Sequence, residues 1–99
     1  MPEVGKVVLF SYEQQPRVGC VVELREHEPK PLIVHLWKPK RSARDFISAQ
    51  FFPFYEDGEP AYLSLSSKRI KLANLEVDEK GYFKPDTRKK LASTLNAWK

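Results

Sequence analysis

The sequence predicts one mainly β domain, a small and strongly bent antiparallel barrel of about five strands followed by a C-terminal α-helix. Three observations lead to this fold class. Short apolar runs with period-two alternation recur up to Leu72. Eight prolines against four glycines favour short, stiff connections and oppose a long helical bundle. Near the C-terminus the apolar residues change to helical spacing.

The first two predicted strands are joined by a polar turn. Val7–Phe10 is the first strand, Ser11–Pro16 the turn and Val18–Leu24 the second strand. Alternation predicts that one face of the second strand lies in the core. That face carries Val18, Cys20, Val22 and Leu24. Gly19 indicates either a bulge or a close approach of another backbone.

Further β-prone stretches follow at short intervals. The third strand is Leu32–Trp37, with Leu32, Val34 and Leu36 on one face and Ile33, His35 and Trp37 on the other. Both faces are partly apolar, so each should be covered. Phe46–Tyr55 is a fourth stretch, and the Asp57-Gly58 pair behind it predicts a tight turn. Ala61–Leu65 and Lys68–Leu72 are the last candidates, either as two strands or as one kinked strand.

The C-terminal segment predicts a helix over about residues 86–98, capped by Asp86 or Thr87. Its apolar stripe consists of Leu91, Leu95 and Trp98. We expect the stripe to pack beside the barrel, over Ile33 and Trp37. Residues 1–99 then form a single domain, with the barrel over about residues 4–72 and a linker over about residues 73–85.

Composition narrows the class of protein. The single cysteine, Cys20, excludes an internal disulfide and a multi-cysteine zinc site. No apolar run reaches the roughly 18 residues of a membrane helix, which predicts a soluble protein of the nucleus or cytoplasm with no membrane partner. The net charge of +4 favours anionic partners, or simply keeps the domain soluble.

Catalytic groups are sparse in this sequence. His27 lies in a charged turn between glutamates, and His35 alternates with apolar neighbours on a strand. Cys20 falls on a predicted inward face, where a thiol acts as a small hydrophobe. No cluster of histidines or carboxylates has metal-ligand spacing. The sequence therefore predicts a binding module without enzymatic activity, cofactor or metal.

Aromatic residues collect where predicted strands meet loops. They are Phe10, Tyr12, Trp37, Phe51, Phe52, Phe54 and Tyr55. In a small barrel such rings can converge at one rim and surround a methylated ammonium group by cation–π attraction. Glu56 and Asp57 would supply negative charge there. The alternative is that most of these rings fill the core.

Basic residues form a second pattern. Two clusters, one in the loop after the third strand and one along a late strand, favour binding to nucleic-acid backbone with nearby rings for stacking. They consist of Lys38, Lys40, Arg41 and Arg44, and of Lys68, Arg69 and Lys71. Arg88, Lys89 and Lys90 form a third cluster at the start of the helix. The alternative is a solvated charged surface.

The segments VGKVVLFSY, RVGCVVEL, LIVHLWKP and FFPFY, within about residues 4–72, resemble the SH3-like barrels of chromatin-associated proteins. These include Tudor, chromo-barrel, PWWP and bromo-adjacent homology domains, and Trp37-Lys38-Pro39 is similar to an aromatic-arginine-proline motif of the last. The same outline resembles the C-terminal domain of retroelement integrases, which bind DNA or chromatin. The Tudor-type resemblance implies a ligand-binding aromatic rim. Its candidates are Phe10, Tyr12, Trp37 and Tyr55.

Three functions follow as hypotheses. The first is a module that recognises a peptide, such as a methylated histone-type tail, in chromatin. The second is a DNA- or RNA-binding barrel that uses the basic loop and strand. The third is an oligomerisation domain whose exposed Trp37 or Trp98 docks on another subunit.

Overall fold

The computed structural model describes residues 2–40 and 45–98. The strands are β1 (Val7–Tyr12), β2 (Gln15–Leu24), β3 (Leu32–Pro39), β4 (Phe51–Pro53), β5 (Tyr55–Glu56), β6 (Glu59–Pro60), β7 (Tyr62–Leu65) and β8 (Ile70–Leu75). The α-helix is α1 (Pro85–Asn96), and a one-turn 3₁₀ helix spans Ser67–Arg69. The mainly β fold with one C-terminal helix is confirmed.

The main sheet is antiparallel, with strand order β4-β3-β2-β1-β8, and β7 also pairs with β3. The last two β-prone stretches of the sequence are therefore separate strands at opposite ends of the sheet, since β7 pairs with β3 and β8 with β1. The 3₁₀ helix carries the chain between them. The sheet does not close into a barrel.

The β1–β2 hairpin is longer than the sequence predicted. Only Glu13 and Gln14, at φ 53° and 63°, form the turn, whereas Ser11 and Pro16 face each other in the ladder. The expected turn over Ser11–Pro16 is thus mostly strand. A two-residue turn with both φ values positive follows the twist of the strands, and this allows pairing up to its edge.

Two strands share one edge of β3. β4 pairs with its C-terminal half and β7 with its N-terminal half. Between them the β5–β6 hairpin projects from the sheet, and its Asp57-Gly58 turn has φ values of 51° and 80°, as the sequence predicted. Residues 46–48 form a turn instead of the expected strand, because the Asp45 carboxylate accepts hydrogen bonds from Ile47 N–H and the Ser48 hydroxyl.

Each face of the sheet carries a hydrophobic core. One of them, which we call the inner core, consists of Val8, Phe10, Val21, Leu32, Val34 and Leu65. The outer core consists of Val7, Leu9, Val18, Ala49, Phe51, Leu75, Phe83 and Leu91. β2 changes sides at Val22, where the register with β3 shifts. Leu24 consequently packs against the inner core, although Val18 and Cys20 face the outer one.

The C-terminal segment covers the outer core. Residues 73–85, expected as a linker, include the end of β8 and the buried side chain of Phe83, which bridges to Val77. The N-cap of α1 is Lys84, with Pro85 as its first residue, so the predicted cap at Asp86 or Thr87 was wrong. The helix buries Leu91 fully; Trp37 packs against the same core, and Ile33 is not among its members.

Candidate functional site

A group of cations and aromatic rings lies where β2, β3 and β4 run side by side. We call it the cation–ring strip, and its members are Arg17, Lys38, Lys40, Phe52 and Phe54. Lys38 and Phe52 are cross-strand partners. The Lys38 ammonium lies 4.0 Å from the centroid of the Phe54 ring, and that of Lys40 lies 6.0 Å from the Phe52 ring. Such distances allow cation–π attraction.

Strand alternation places the strip on the side of the sheet that carries the inner core. Leu36 packs against the inner core and Trp37 against the outer one, so Lys38 extends on the side of Leu36. Val18 pairs with Trp37 in antiparallel register, and the next rung brings Arg17 opposite Lys38. Arg17, Lys38 and Phe52 therefore form one row across three strands.

The strip carries uncompensated positive charge. Over residues 2–40 and 45–98, the ion pairs join Arg25 to Glu23 and to Glu28, and none involves a cation of the strip. Arg17 Nε is buried and has no hydrogen-bond partner among the described residues. A guanidinium keeps its charge at any physiological pH. The strip is therefore a surface that attracts anions.

The four rings predicted to form a rim do not converge. Phe10 is fully buried in the inner core, so its ring is closed to any ligand, and this removes it from the rim. Trp37 is half-buried against the outer core, whereas Tyr12 lies two residues after Phe10 on β1 and therefore shares its side of the sheet. Tyr55 is exposed on β5. Among the described residues, no close ring pair joins two of these four.

Tyr55 belongs to a different group, which we call the tyrosine–histidine cluster: His35, Tyr55 and Tyr62. The His35 ring lies edge-on to both tyrosines, at centroid distances of 5.1 and 5.5 Å. Its Nε2 forms a 2.9 Å hydrogen bond with the Phe54 carbonyl, which fixes the ring between them. More than half of each tyrosine is exposed. Glu56 follows Tyr55 on β5 and is also exposed.

The predicted basic residues are divided among three places. Lys38 and Lys40 lie in the strip, whereas Arg41 and Arg44 lie outside the described residues. Lys68 and Arg69 are exposed on the 3₁₀ helix, and Lys71 is exposed on β8. In the sheet, β2 and β1 separate β8 from β3. The two basic clusters of the sequence are therefore on different strands of the sheet and do not form one row.

Two concavities flank the tip of the β1–β2 hairpin. The larger is an open groove of about 620 Å³, where the Lys71 ammonium lies 5.8 Å from the Trp98 ring. It is lined by Ser11, Gln14, Lys71, Thr94, Ala97 and Trp98. The smaller, of about 220 Å³, is lined by residues that include Tyr12 and Arg69. Trp37 and Trp98 are both half-buried against the outer core, and Trp98 also lines the larger groove, so the oligomerisation hypothesis stays a prediction.

Few reactive side chains come together among the described residues. Burial raises the pKa of the Cys20 thiol above its ordinary value, which lowers the fraction of reactive thiolate. Over residues 2–40 and 45–98, no three histidine, cysteine or carboxylate side chains come close enough to hold a metal ion. In the same ranges, no helix is long and apolar enough to cross a membrane.

Sequence reasoning missed Arg17 and Tyr62 as site residues. Arg17 fell between the predicted turn and the predicted second strand, and only the register of β2 with β3 brings it to Lys38. Tyr62 stands seven residues from Tyr55, and the β5–β6 hairpin returns the chain to His35 between them. A period-two reading that extended β2 back to Gln15 would have found Arg17.

Comparison with protein-family models, curated proteins and solved structures yields no match to this chain.

Proposed function

We propose that this chain is a non-enzymatic interaction module that binds nucleic acid, DNA or RNA, through the cation–ring strip. The observation that carries the proposal is the row of Arg17, Lys38 and Phe52, which combines an exposed ring with cations that have no acidic partner within residues 2–40 and 45–98. Nucleic-acid binding uses this combination: the cations neutralise phosphates, and the rings stack on bases.

The experiment is a salt titration with a fluorescent mixed-sequence oligonucleotide. For single strands the slope of log K against log salt is about −0.7 per neutralised phosphate. The double variant Lys38→Glu with Lys40→Glu should bind more weakly, and its slope should be shallower by roughly 0.7 for each phosphate contact that it loses.

The matched control is Lys89→Glu with Lys90→Glu. It makes the same change of net charge at two exposed positions of α1. If affinity depends on the strip, the control should bind much more tightly than the strip variant. Equal losses in both variants, or no binding by the unchanged protein, would refute the proposal. Circular dichroism should show that every variant is folded.

A second candidate function rests on the tyrosine–histidine cluster. Two exposed tyrosines, each edge-on to a fixed His35 ring, offer aromatic faces to a cation, and the exposed Glu56, next to Tyr55 in the sequence, adds negative charge. This arrangement supports recognition of a peptide through a methylated lysine, as in a histone-type tail. The site replaces the rim expected from the sequence and keeps only Tyr55 from it.

The test compares a lysine peptide with its trimethylated form. Tighter binding of the methylated peptide, lost in Tyr62→Ala, would support this second candidate. Tyr82→Ala is the matched control, because Tyr82 is also exposed but lies in the segment after β8. Equal affinity of the unchanged protein for both peptides would exclude the methyl-lysine site.

A further inference from the structure

The guanidinium of Arg17 lacks a partner that its surroundings require. Its Nε is shielded from solvent, and no described acceptor lies within hydrogen-bond distance. Buried polar atoms are almost always hydrogen-bonded, because an unmet donor has lost its water without compensation. The planar guanidinium binds phosphate with paired donors. Nε itself is closed to solvent, and the terminal nitrogens are not among the buried unpaired atoms of the described residues, so an anion at the strip would bind the guanidinium through those nitrogens.

Phe52 is an apolar ring that the fold does not use. It is 39% exposed and belongs to neither hydrophobic core. Its neighbour Phe51 is buried, as alternation along β4 requires. The ring of Phe54 is more enclosed and is already approached by Lys38 at 4.0 Å. The Lys40 ammonium stays 6.0 Å from the Phe52 centroid, so Phe52 is the more open ring of the strip and the one that can accept a planar ligand.

Arg17 and Phe52 lie in one row, on either side of Lys38. Lys38 is the cross-strand partner of Phe52, and the register places Arg17 opposite Lys38 on the other side. Neighbouring strands are about 4.8 Å apart, so the row spans about 10 Å from Arg17 to Phe52. A phosphate at Arg17 and a base on Phe52 would thus belong to adjacent parts of one nucleic-acid strand.

We infer that the ligand of the strip is single-stranded nucleic acid, with Arg17 holding a phosphate and Phe52 stacking on a base. This inference rests on the proposed function and narrows it. In a duplex the base faces are occupied by their neighbours in the stack, so Phe52 would have nothing to contact. The cations by themselves would bind single-stranded and double-stranded nucleic acid alike. The exposed Phe52 ring therefore gives the preference for the single strand.

The experiment measures the affinity of the full chain for a labelled single strand and for a duplex of the same sequence and length. Phe52→Leu should lose about tenfold for the single strand and change little for the duplex, since stacking is worth about 1–3 kcal/mol per base. Phe52→Trp keeps a stacking face and should retain the affinity. Tyr82→Leu removes a similarly exposed ring outside the strip and should bind as the unchanged protein does.

Arg17 is tested in the same assay. Arg17→Gln should weaken binding to the single strand by about tenfold, because it removes a charge-assisted contact to phosphate. Arg17→Lys should recover only part of the loss, since an ammonium lacks the paired donors. Full recovery by lysine would refute the phosphate role of the guanidinium.

The outcomes separate the inference from the proposed function. Equal affinity for single strand and duplex, or equal losses for both in Phe52→Leu, would overturn the single-strand inference while leaving nucleic-acid binding intact. Absence of binding to either form would overturn both. A polyglutamate of matched charge that binds as tightly as the single strand would show a general anion site, and that result would also overturn the inference.

Discussion

The hydroxyl oxygen of Thr87 accepts a hydrogen bond of 3.0 Å from the backbone N–H of Glu76. This bond ties the first turn of α1 to the residue that follows β8. Thr87 is the buried polar residue of the described chain, at 3% exposure. The contact explains why Thr87 lies inside the helix and not at its cap.

Replacement of Thr87 should therefore destabilise the domain, because the Glu76 N–H loses its acceptor. Thr87→Val keeps the shape but leaves the Glu76 N–H unsatisfied, and we expect a loss of about 1–3 kcal/mol in the free energy of unfolding. Thr87→Ser keeps the hydroxyl and should lose much less. Urea denaturation measures both variants, and equal losses would show that the methyl group, not the hydrogen bond, matters.

Gly19 should tolerate no side chain. A Cβ there would overlap the Val34 side chain and lie 2.7 Å from the His35 carbonyl oxygen. Gly19 is paired with Val8 on one side and Leu36 on the other, in the middle of the sheet. The backbone around Gly19 therefore cannot shift easily to relieve the overlap. We expect Gly19→Ala to cost at least about 1–3 kcal/mol, the usual range for overpacking. A thermal melt unchanged from that of the parent would contradict this account.

The two hairpin turns should respond in opposite directions to matched substitutions. Glu13 and Gln14 adopt positive φ without glycine, whereas Asp57-Gly58 has the sequence that this turn prefers. Glu13→Asn with Gln14→Gly should stabilise the domain by about 0.5–1 kcal/mol. Gly58→Ala should destabilise it by about 1 kcal/mol, because alanine is strained at φ +80°. Thermal unfolding of both variants measures the two changes in stability.

The Asp78 carboxylate should make stability depend on acid pH. Hydrogen bonds from the backbone N–H groups of Tyr82 and Lys80 lower the pKa of Asp78 below its ordinary value of 3.8. Because the folded pKa is the lower one, the contribution is complete above pH 3.8 and is lost as pH falls through the folded pKa.

Asp78→Asn keeps the acceptor oxygen and removes the titration. The free energy of unfolding of the parent should therefore decline more steeply than that of Asp78→Asn as pH falls from about 5 to 2. Parallel declines in chemical denaturation at each pH would show that Asp78 does not contribute to acid sensitivity.

The sequence predicted several parts of this fold well. The alternation of Leu32, Val34 and Leu36 against Trp37 describes the two faces of β3 correctly, and Leu91 is buried as its helical spacing predicted. These features are local, because the period of a strand or helix is written in its own residues. The cap of α1 was missed, since Thr87 forms its hydrogen bond with a residue of another segment.

The candidate site was only partly predictable. Lys38 and Lys40 were expected to bind phosphate, but their neighbours Arg17 and Phe52 come from strands separated from them in sequence. Composition could not tell that Phe10 is core while Phe52 is exposed, because both stand in apolar β-prone runs. Burial of a ring depends on which strand lies beside it and on the side from which the sheet is covered.

By itself the sequence determined the strand periods, the Asp57-Gly58 turn, the helical stripe and the scarcity of reactive groups. The tertiary structure alone decided that Arg17, Lys38 and Phe52 share a row, that His35 lies between Tyr55 and Tyr62, and that the barrel stays open. The reason is physical: side-chain period is a property of a short segment, whereas register between strands is fixed by long-range hydrogen bonding and by packing on both faces of the sheet.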